Sequence, residues 1–184
     1  MKRKNITTQM MKGYISDSLL LLMAKMDYAD ITIGEITDKA GVNRSTYYRN
    51  FESKEDIVEY YLTTHIMYEY LDDYKKSHER SPERYLRTIL DCFYRHKNEL
   101  LLIHKNGLSY LLLNVLNKVF EEKLGQEALT LAERYRQNFH IGGIYNFSHL
   151  WFSSGMEETP EIMTKIALSC FPADNITMFL EDTR

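Results

Sequence analysis

The sequence predicts an all-α protein of about nine helices, set out as a three-helix N-terminal helix-turn-helix domain and a six-helix C-terminal domain. Three observations carry this. Apolar residues recur at helical spacing through every long segment. Helix-opening residues, Ser53, Ser81-Pro82-Glu83 and Thr159-Pro160-Glu161, punctuate the chain at the right places. With 3 Pro and 8 Gly in 184 residues the chain is poor in loop formers, and a 44% hydrophobic fraction is enough for a packed core.

The first helix is expected from about Thr8 to Met26, with Ile15, Leu19, Leu22 and Met26 on one stripe. Helices two and three lie within residues 33–54. Ser53 is the expected N-cap of helix four, with Glu55 and Asp56 favouring its positive end. That helix carries Ile57, Tyr61, His65, Tyr68 and Leu71 and, if continuous to His78, is long enough to link two modules rigidly. Helix five opens at Ser81-Pro82-Glu83 and packs Tyr85, Leu86, Ile89, Leu90 and Phe93. A short helix over residues 98–104 is broken by Asn106-Gly107. Helix seven runs on to about Lys123 with Leu111, Leu112, Val115, Leu116, Val119 and Phe120 inward. Gly125 separates it from residues 126–153, which are apolar on two faces and so must pack against a second surface. The last helix is expected to end near Phe171-Pro172. The domain boundary falls near the start of helix four, giving residues 1–56 and 57–184.

Residues 33–54, IGEITDKAGVNRSTYYRNFESK, carry the functional signal. Ile36, Ala40 and Val42 are packing positions, Gly41 suits a corner that needs positive φ, and Asn43 suits an N-cap. The second helix of the pair carries Arg44 to Phe51. At about 100° per residue Tyr47 and Phe51 share an inward face, and Arg49 points directly away between Ser45 and Thr46. A guanidinium flanked by hydroxyls is suited to base edges and phosphates in a major groove. An ordinary helical hairpin with a solvated polar face has the same local pattern.

Thr32-Ile33, Ile36, Ala40-Gly41-Val42, Thr46, Tyr48, Phe51 and Lys54 resemble the N-terminal pattern of tetracycline-repressor-like (TetR/AcrR) regulators over about residues 17–57. The resemblance implies base reading by Arg44, Ser45 and Arg49. It implies phosphate contacts by Thr32, Thr46, Tyr48, Asn50 and Lys54, with Tyr47 and Phe51 as anchors. Thr37 and Asn50 depart from the family's usual Ala and His or Tyr. It further implies a homodimer whose last two long helices form a four-helix interface, for which Gly142, Tyr145, His149, Phe152 and Ile166 are the candidates. Residues 140–163, with Trp151, Gly155 and Glu158-Thr159-Pro160-Glu161, are similar to the dihydroxyacetone-kinase-regulator-like subset.

The net charge of −3 is unevenly distributed. Residues 1–56 hold 9 Lys and Arg against 8 Asp and Glu, and the remainder holds 14 against 18. Lys2, Arg3 and Lys4 form a basic arm suited to phosphate contact or a minor groove, or simply a solubilising terminus. Neither a membrane span nor a signal-peptide core is expected, and Cys92 and Cys170 read as buried thiols of a cytoplasmic protein.

Catalysis has no motif here: GxSxG, a phosphate-cradling Gly-rich loop and HExxH are all missing, and the histidines stand at no metal-ligand spacing. No catalytic residue, metal or cofactor is expected. The 14 Tyr and 9 Met instead suit an adaptable effector pocket. Tyr61, His65, Tyr68, Tyr94, His104, Tyr110 and Phe139 are the lining candidates, or plain core. The function expected is that of a sequence-specific DNA-binding regulator, a repressor released from a pseudo-palindromic operator by an effector. The alternatives are a regulator whose second domain binds a protein, and a helical small-molecule-binding protein without DNA function.

Overall fold

The computed structural model describes residues 2–124 and 129–180; the side chains of 2–6, 124 and 173–175 lie outside that description. Every long described segment is helical, and no strand occurs among the described residues. The first helix, α1 (Lys2–Met23), begins six residues earlier than the spacing predicts. A single 3₁₀ turn, Tyr28–Asp30, leads to α2 (Ile33–Ala40) and α3 (Arg44–Tyr48). Ile15, Leu19, Ile36, Tyr47, Phe51 and Ile57 close the core between α1, this pair and the next helix.

Residues 54–77 form one continuous rod of three parts: α4 (Lys54–Tyr61), a π-helical turn (Leu62–Met67) and α5 (Tyr68–Ser77). Ser53 caps it with a reciprocal box, the Asp56 amide donating to the Ser53 hydroxyl and the Ser53 amide donating to the Asp56 carboxylate. Within the turn Thr64 Oγ1 donates to the Tyr60 carbonyl at 2.7 Å, a back-bond that favours local bending of a helix. Up to the first residue of the turn the rod buries Ile57, Val58, Tyr61 and Leu62, and from its last two residues onward Ile66, Met67, Tyr70 and Tyr74. In a regular α-helix these two sets would face nearly opposite sides; the extra residue brings them closer together.

The remaining body contains α6 (Pro82–Arg95), α7 (Lys97–Lys105), α8 (Tyr110–Leu124), α9 (Leu131–Ser153) and α10 (Pro160–Cys170). An unexpected α11 (Ala173–Leu180) follows, so ten helices stand among the described residues where nine were expected, if the rod counts as one. Pro172, read from the sequence as a stop, lies directly before this new helix and suits the start of one. The start of α9 is also corrected. Thr130 is its N-cap, in a box with Glu133 that the sequence reading passed over. Gly125 and residues 126–128 lie outside the described residues.

The centre of the body is a packed cluster of rings. Tyr70, Tyr74, Tyr85, Phe120, His140 and Phe179 lie with centroids 4.2 to 6.4 Å apart. Phe179 comes from α11, so the last helix supplies the ring that closes the cluster.

Candidate nucleic-acid interface

Side-chain bonds fix the helix-turn-helix at each corner. Thr32 caps α2 through a reciprocal box with Glu35, whose amide donates to the Thr32 hydroxyl at 3.2 Å while Thr32 N–H donates to its carboxylate at 2.8 Å. Those hydrogen bonds hold the Glu35 carboxyl below the usual carboxylate range. Gly41 turns the corner at φ 66°, a conformation that costs a residue with a Cβ more. Asn43 then caps α3, its side-chain oxygen accepting from the Thr46 amide at 3.0 Å and from the Ser45 and Thr46 hydroxyls at 2.6 and 2.9 Å. Thr37 is buried without penalty because its hydroxyl donates to the Ile33 and Gly34 carbonyls, both at 2.9 Å.

Beyond Tyr48 the chain stays helical in course for three residues. Phe51 N–H still donates to the Tyr47 carbonyl at 2.9 Å. Tyr47 and Phe51 are therefore buried together, with ring centroids 6.3 Å apart, and Tyr48 stands 65% exposed on the outside. Arg49 is exposed and folded along its own helix, Nε donating to the Ser45 carbonyl at 3.1 Å and Nη2 to the Thr46 hydroxyl at 3.3 Å. The Arg44 guanidinium lies over Gly34, where a Cβ would meet Nη2 at 2.8 Å. Arg44, Ser45, Arg49 and Tyr48 thus share one outward surface, with Thr32 and Thr46 beside it.

Two of the expected phosphate contacts are committed elsewhere. Lys54 points inward: its ammonium donates to the Tyr28 and Ile31 carbonyls at 2.7 and 2.8 Å and sits 4.4 Å from the Tyr28 ring centroid. It fastens the 3₁₀ turn to α4. Asn50 turns its amide onto the Thr46 carbonyl at 2.6 Å and closes the end of α3. Both contacts serve carbonyls beside short helices. The carbonyls at the ends of short helices need donors, and these side chains are the nearest. The side chains of Lys2, Arg3 and Lys4 lie outside the described residues.

The expected effector-pocket residues do not converge. Tyr61 and His65 stack at 4.8 Å and line a cavity of about 520 Å³ with Leu20, Leu21, Asn98 and Leu102. Tyr68 opens to other clefts, Tyr94 stacks on Trp151 at 5.9 Å, and Tyr110 is exposed. His104 bonds the Ser109 hydroxyl at 2.8 Å beside His149. Phe139 is 72% exposed on α9, in line with the equally exposed Leu131 and Tyr135. Helical spacing could not tell these surroundings apart because each depends on which helix lies opposite.

The expected interface residues also divide. Ile166 is exposed, Tyr145 and His149 are half-buried, and a Cβ on Gly142 would meet nothing within 4 Å. Phe152 is corrected to core, packed 6.0 Å from Phe93. Gly143, not Gly142, is the close approach, where a Cβ would fall 2.7 Å from the Phe171 ring. Leu150 on α9 and Ile162 on α10 were passed over, and Phe139 was expected in a pocket. With Leu131, Tyr135, Ile166 and Leu168 they are the large apolar residues that the described parts of these two helices leave to solvent. Cys92 is buried as expected and Cys170 is exposed. Among the described residues no helix is long and apolar enough to cross a membrane.

Fold and site together define a helix-turn-helix on an all-helical body. Residues 17–61 match the family described as bacterial regulatory proteins, tetR family. The chain is 39% identical over 51 residues to the uncharacterized HTH-type transcriptional regulator YvkB of Bacillus subtilis (strain 168). That match covers 28% of this chain and spans about a quarter (27%) of the relative's length. The structure of the fatty acid degradation regulator FadR from Bacillus halodurans superposes with a TM-score of 0.51 at 15% identity, covering 95% of this chain and 97% of that one. The likeness extends the shared fold to the whole chain.

Proposed function

We propose that this protein is a cytoplasmic, homodimeric, DNA-binding transcriptional regulator and that it acts as a repressor. The observation that carries the reading is the division of α3 into a buried anchor, Tyr47, and an outward surface bearing Arg44, Ser45 and Arg49. These three read base edges, while Thr32, Thr46 and Tyr48, with Lys2, Arg3 and Lys4 of the N-terminus, contact phosphates. Residues 1–56 form the reading head and 57–184 the body. The exposed stripe from Leu131 to Leu150, with Ile162 and Ile166, supports pairing of two copies through α9 and α10. Paired heads then span two half-sites about 34 Å apart, or a multiple of it, on a pseudo-palindrome.

Release follows from an effector that favours the spacing that cannot bind DNA. Its leverage equals its differential affinity for the two states. The cavity at Tyr61 and His65 is the preferred metabolite site, because it lies between α1, α4 and α7 where head meets body. A second reading has its own support. The centre of the body is filled by rings, which favours a protein partner over a metabolite deep inside. The body's likeness to dihydroxyacetone-kinase-regulator-like proteins is compatible with either, and no enzymatic step is assigned.

Selection of bound duplexes from a random pool by the full chain tests the reading. The expected result is enrichment of one inverted repeat, bound with a steep salt dependence. Recovery of unenriched sequence would overturn it.

A further inference from the structure

Behind the π turn, three side chains of different chemistry converge. Glu69 comes from α5, Cys92 from the last turn of α6, and His96 from the C-cap that directly follows it. One ligand atom from each lies within 4.8 Å of the other two. We propose that Glu69, Cys92 and His96 form a binding site for a thiophilic divalent transition-metal ion, of which Zn²⁺ is the natural occupant.

Two of the three ligands are held by a partner that does not compete for the ion. His96 presents Nε2 to the Glu69 carboxylate at 2.9 Å, while its other nitrogen, Nδ1, is bonded to the Tyr61 hydroxyl at 3.2 Å. A ring fixed through its remote nitrogen is the usual condition of a metal-binding histidine. Glu69 divides its oxygens: Oε1 accepts from Arg95 Nε at 2.7 Å, and Oε2 faces the site. Cys92 and His96 stand four residues apart and so project from the same side of α6. The Cys92 sulfur is fully buried and donates to the Ile66 carbonyl at 3.2 Å, an acceptor within the irregular turn.

The donor set selects the ion. One thiolate, one imidazole and one carboxylate suit zinc or cobalt and discriminate against magnesium and calcium, which take all-oxygen shells. In a tetrahedral site the His96 nitrogen and the Glu69 oxygen would stand about 3.3 Å apart, given metal–ligand distances near 2.0 Å. The pair therefore opens by only a few tenths of an ångström. The thiol proton leaves to solvent on binding. The imidazole carries its own proton on Nδ1, donates it to the Tyr61 oxygen and gives the Nε2 lone pair to the metal. Water completes the fourth position. Thiolate and carboxylate together balance the charge of the ion, and Arg95 stays on the far oxygen. Sequence spacing hides this site because 23 residues separate Glu69 from Cys92.

Titrating the full-length, reduced protein with Co²⁺ tests the proposal, using the near-ultraviolet sulfur-to-cobalt charge-transfer band as the readout. Zn²⁺ is then added as competitor. The expected result is one ion per chain, displaced by Zn²⁺, with the band lost in Cys92→Ser and retained in Cys170→Ser. Glu69→Gln and His96→Gln should each weaken binding at least tenfold. Tyr61→Phe should weaken it about tenfold while keeping the band, as for a residue that orients a ligand. Far-ultraviolet circular dichroism checks that each variant folds. If Cys92→Ser does not, the partly exposed Glu69 and His96 variants decide the matter. Absence of the band, its persistence in Cys92→Ser, or unchanged affinity in both Glu69→Gln and His96→Gln would overturn the site.

Discussion

The Arg44 guanidinium rests on Gly34, close enough that a methyl group there would stand 2.8 Å from Nη2. The first residue of α3 is thereby positioned by the first turn of the helix before it. The obstructing atoms are the far end of a flexible side chain, so Gly34→Ala should keep the fold and move the arginine. We expect a melting temperature close to wild type and operator affinity lowered up to about tenfold, or roughly 1.4 kcal/mol. Paired thermal melts and fluorescence-anisotropy titrations check this. Equal affinity for the two proteins would remove Arg44 from base reading.

Arg49 is the second proposed reader. Arg49→Ala should cost roughly 1–3 kcal/mol on the selected operator and relax discrimination at one base position. Titrations against single-base operator variants check the outcome. Similar losses on specific and random duplexes would mean that Arg49 only positions the protein.

Lys54 gives the opposite expectation. Because its ammonium serves the Tyr28 and Ile31 carbonyls, Lys54→Met should destabilise the protein by about 1.5–3 kcal/mol, the range for hydrogen bonds made by a charged group. The slope of log affinity against log salt should stay unchanged. A phosphate-contacting lysine would instead lower that slope by about one and leave stability alone.

His140 should make the body acid-labile. Burial holds its imidazole down at about 4, against about 6.5 when unfolded, so between those values the unfolded chain binds more protons. Stability is therefore full above about pH 6.5 and falls as pH drops toward 4, by a total of about 3 kcal/mol. Denaturant midpoints measured across this window should fall more steeply for wild type than for His140→Leu. Tyr85 bonds the His140 Nε2 at 2.9 Å, so Tyr85→Phe should cost about 1–3 kcal/mol at neutral pH.

The exposed stripe on α9 allows a direct test of assembly. Phe139→Asp and Ile166→Asp replace exposed apolar groups and should leave the fold intact while converting a dimer to a monomer in sedimentation velocity. A monomeric wild type would overturn the pairing.

What could be read before the structure follows the range of the forces involved. Helix starts at Ser53, Ser81 and Thr159 were legible because caps act over three residues. The inward face of Tyr47 and Phe51 was legible because periodicity is local. The roles of Lys54 and Asn50 were not, since each is set by a carbonyl orphaned nearby in space. Tyr94, Phe139 and Phe152 were misassigned for a related reason: a helix face says which residues point together, and only the opposing helix says toward what. The turn at 62–67 left little trace beyond Thr63-Thr64, two β-branched residues in a rod otherwise rich in helix formers.

That turn also sets where the rod can tolerate a change in length. A π turn is one residue more than an α-helix needs, so deleting Thr63 could be absorbed as a regular helix with both flanks keeping their faces. The same deletion two turns to either side would rotate one flank by about 100° and swing the reading head off its axis. The rod therefore holds a single spare residue, and it lies in the turn at Leu62–Met67.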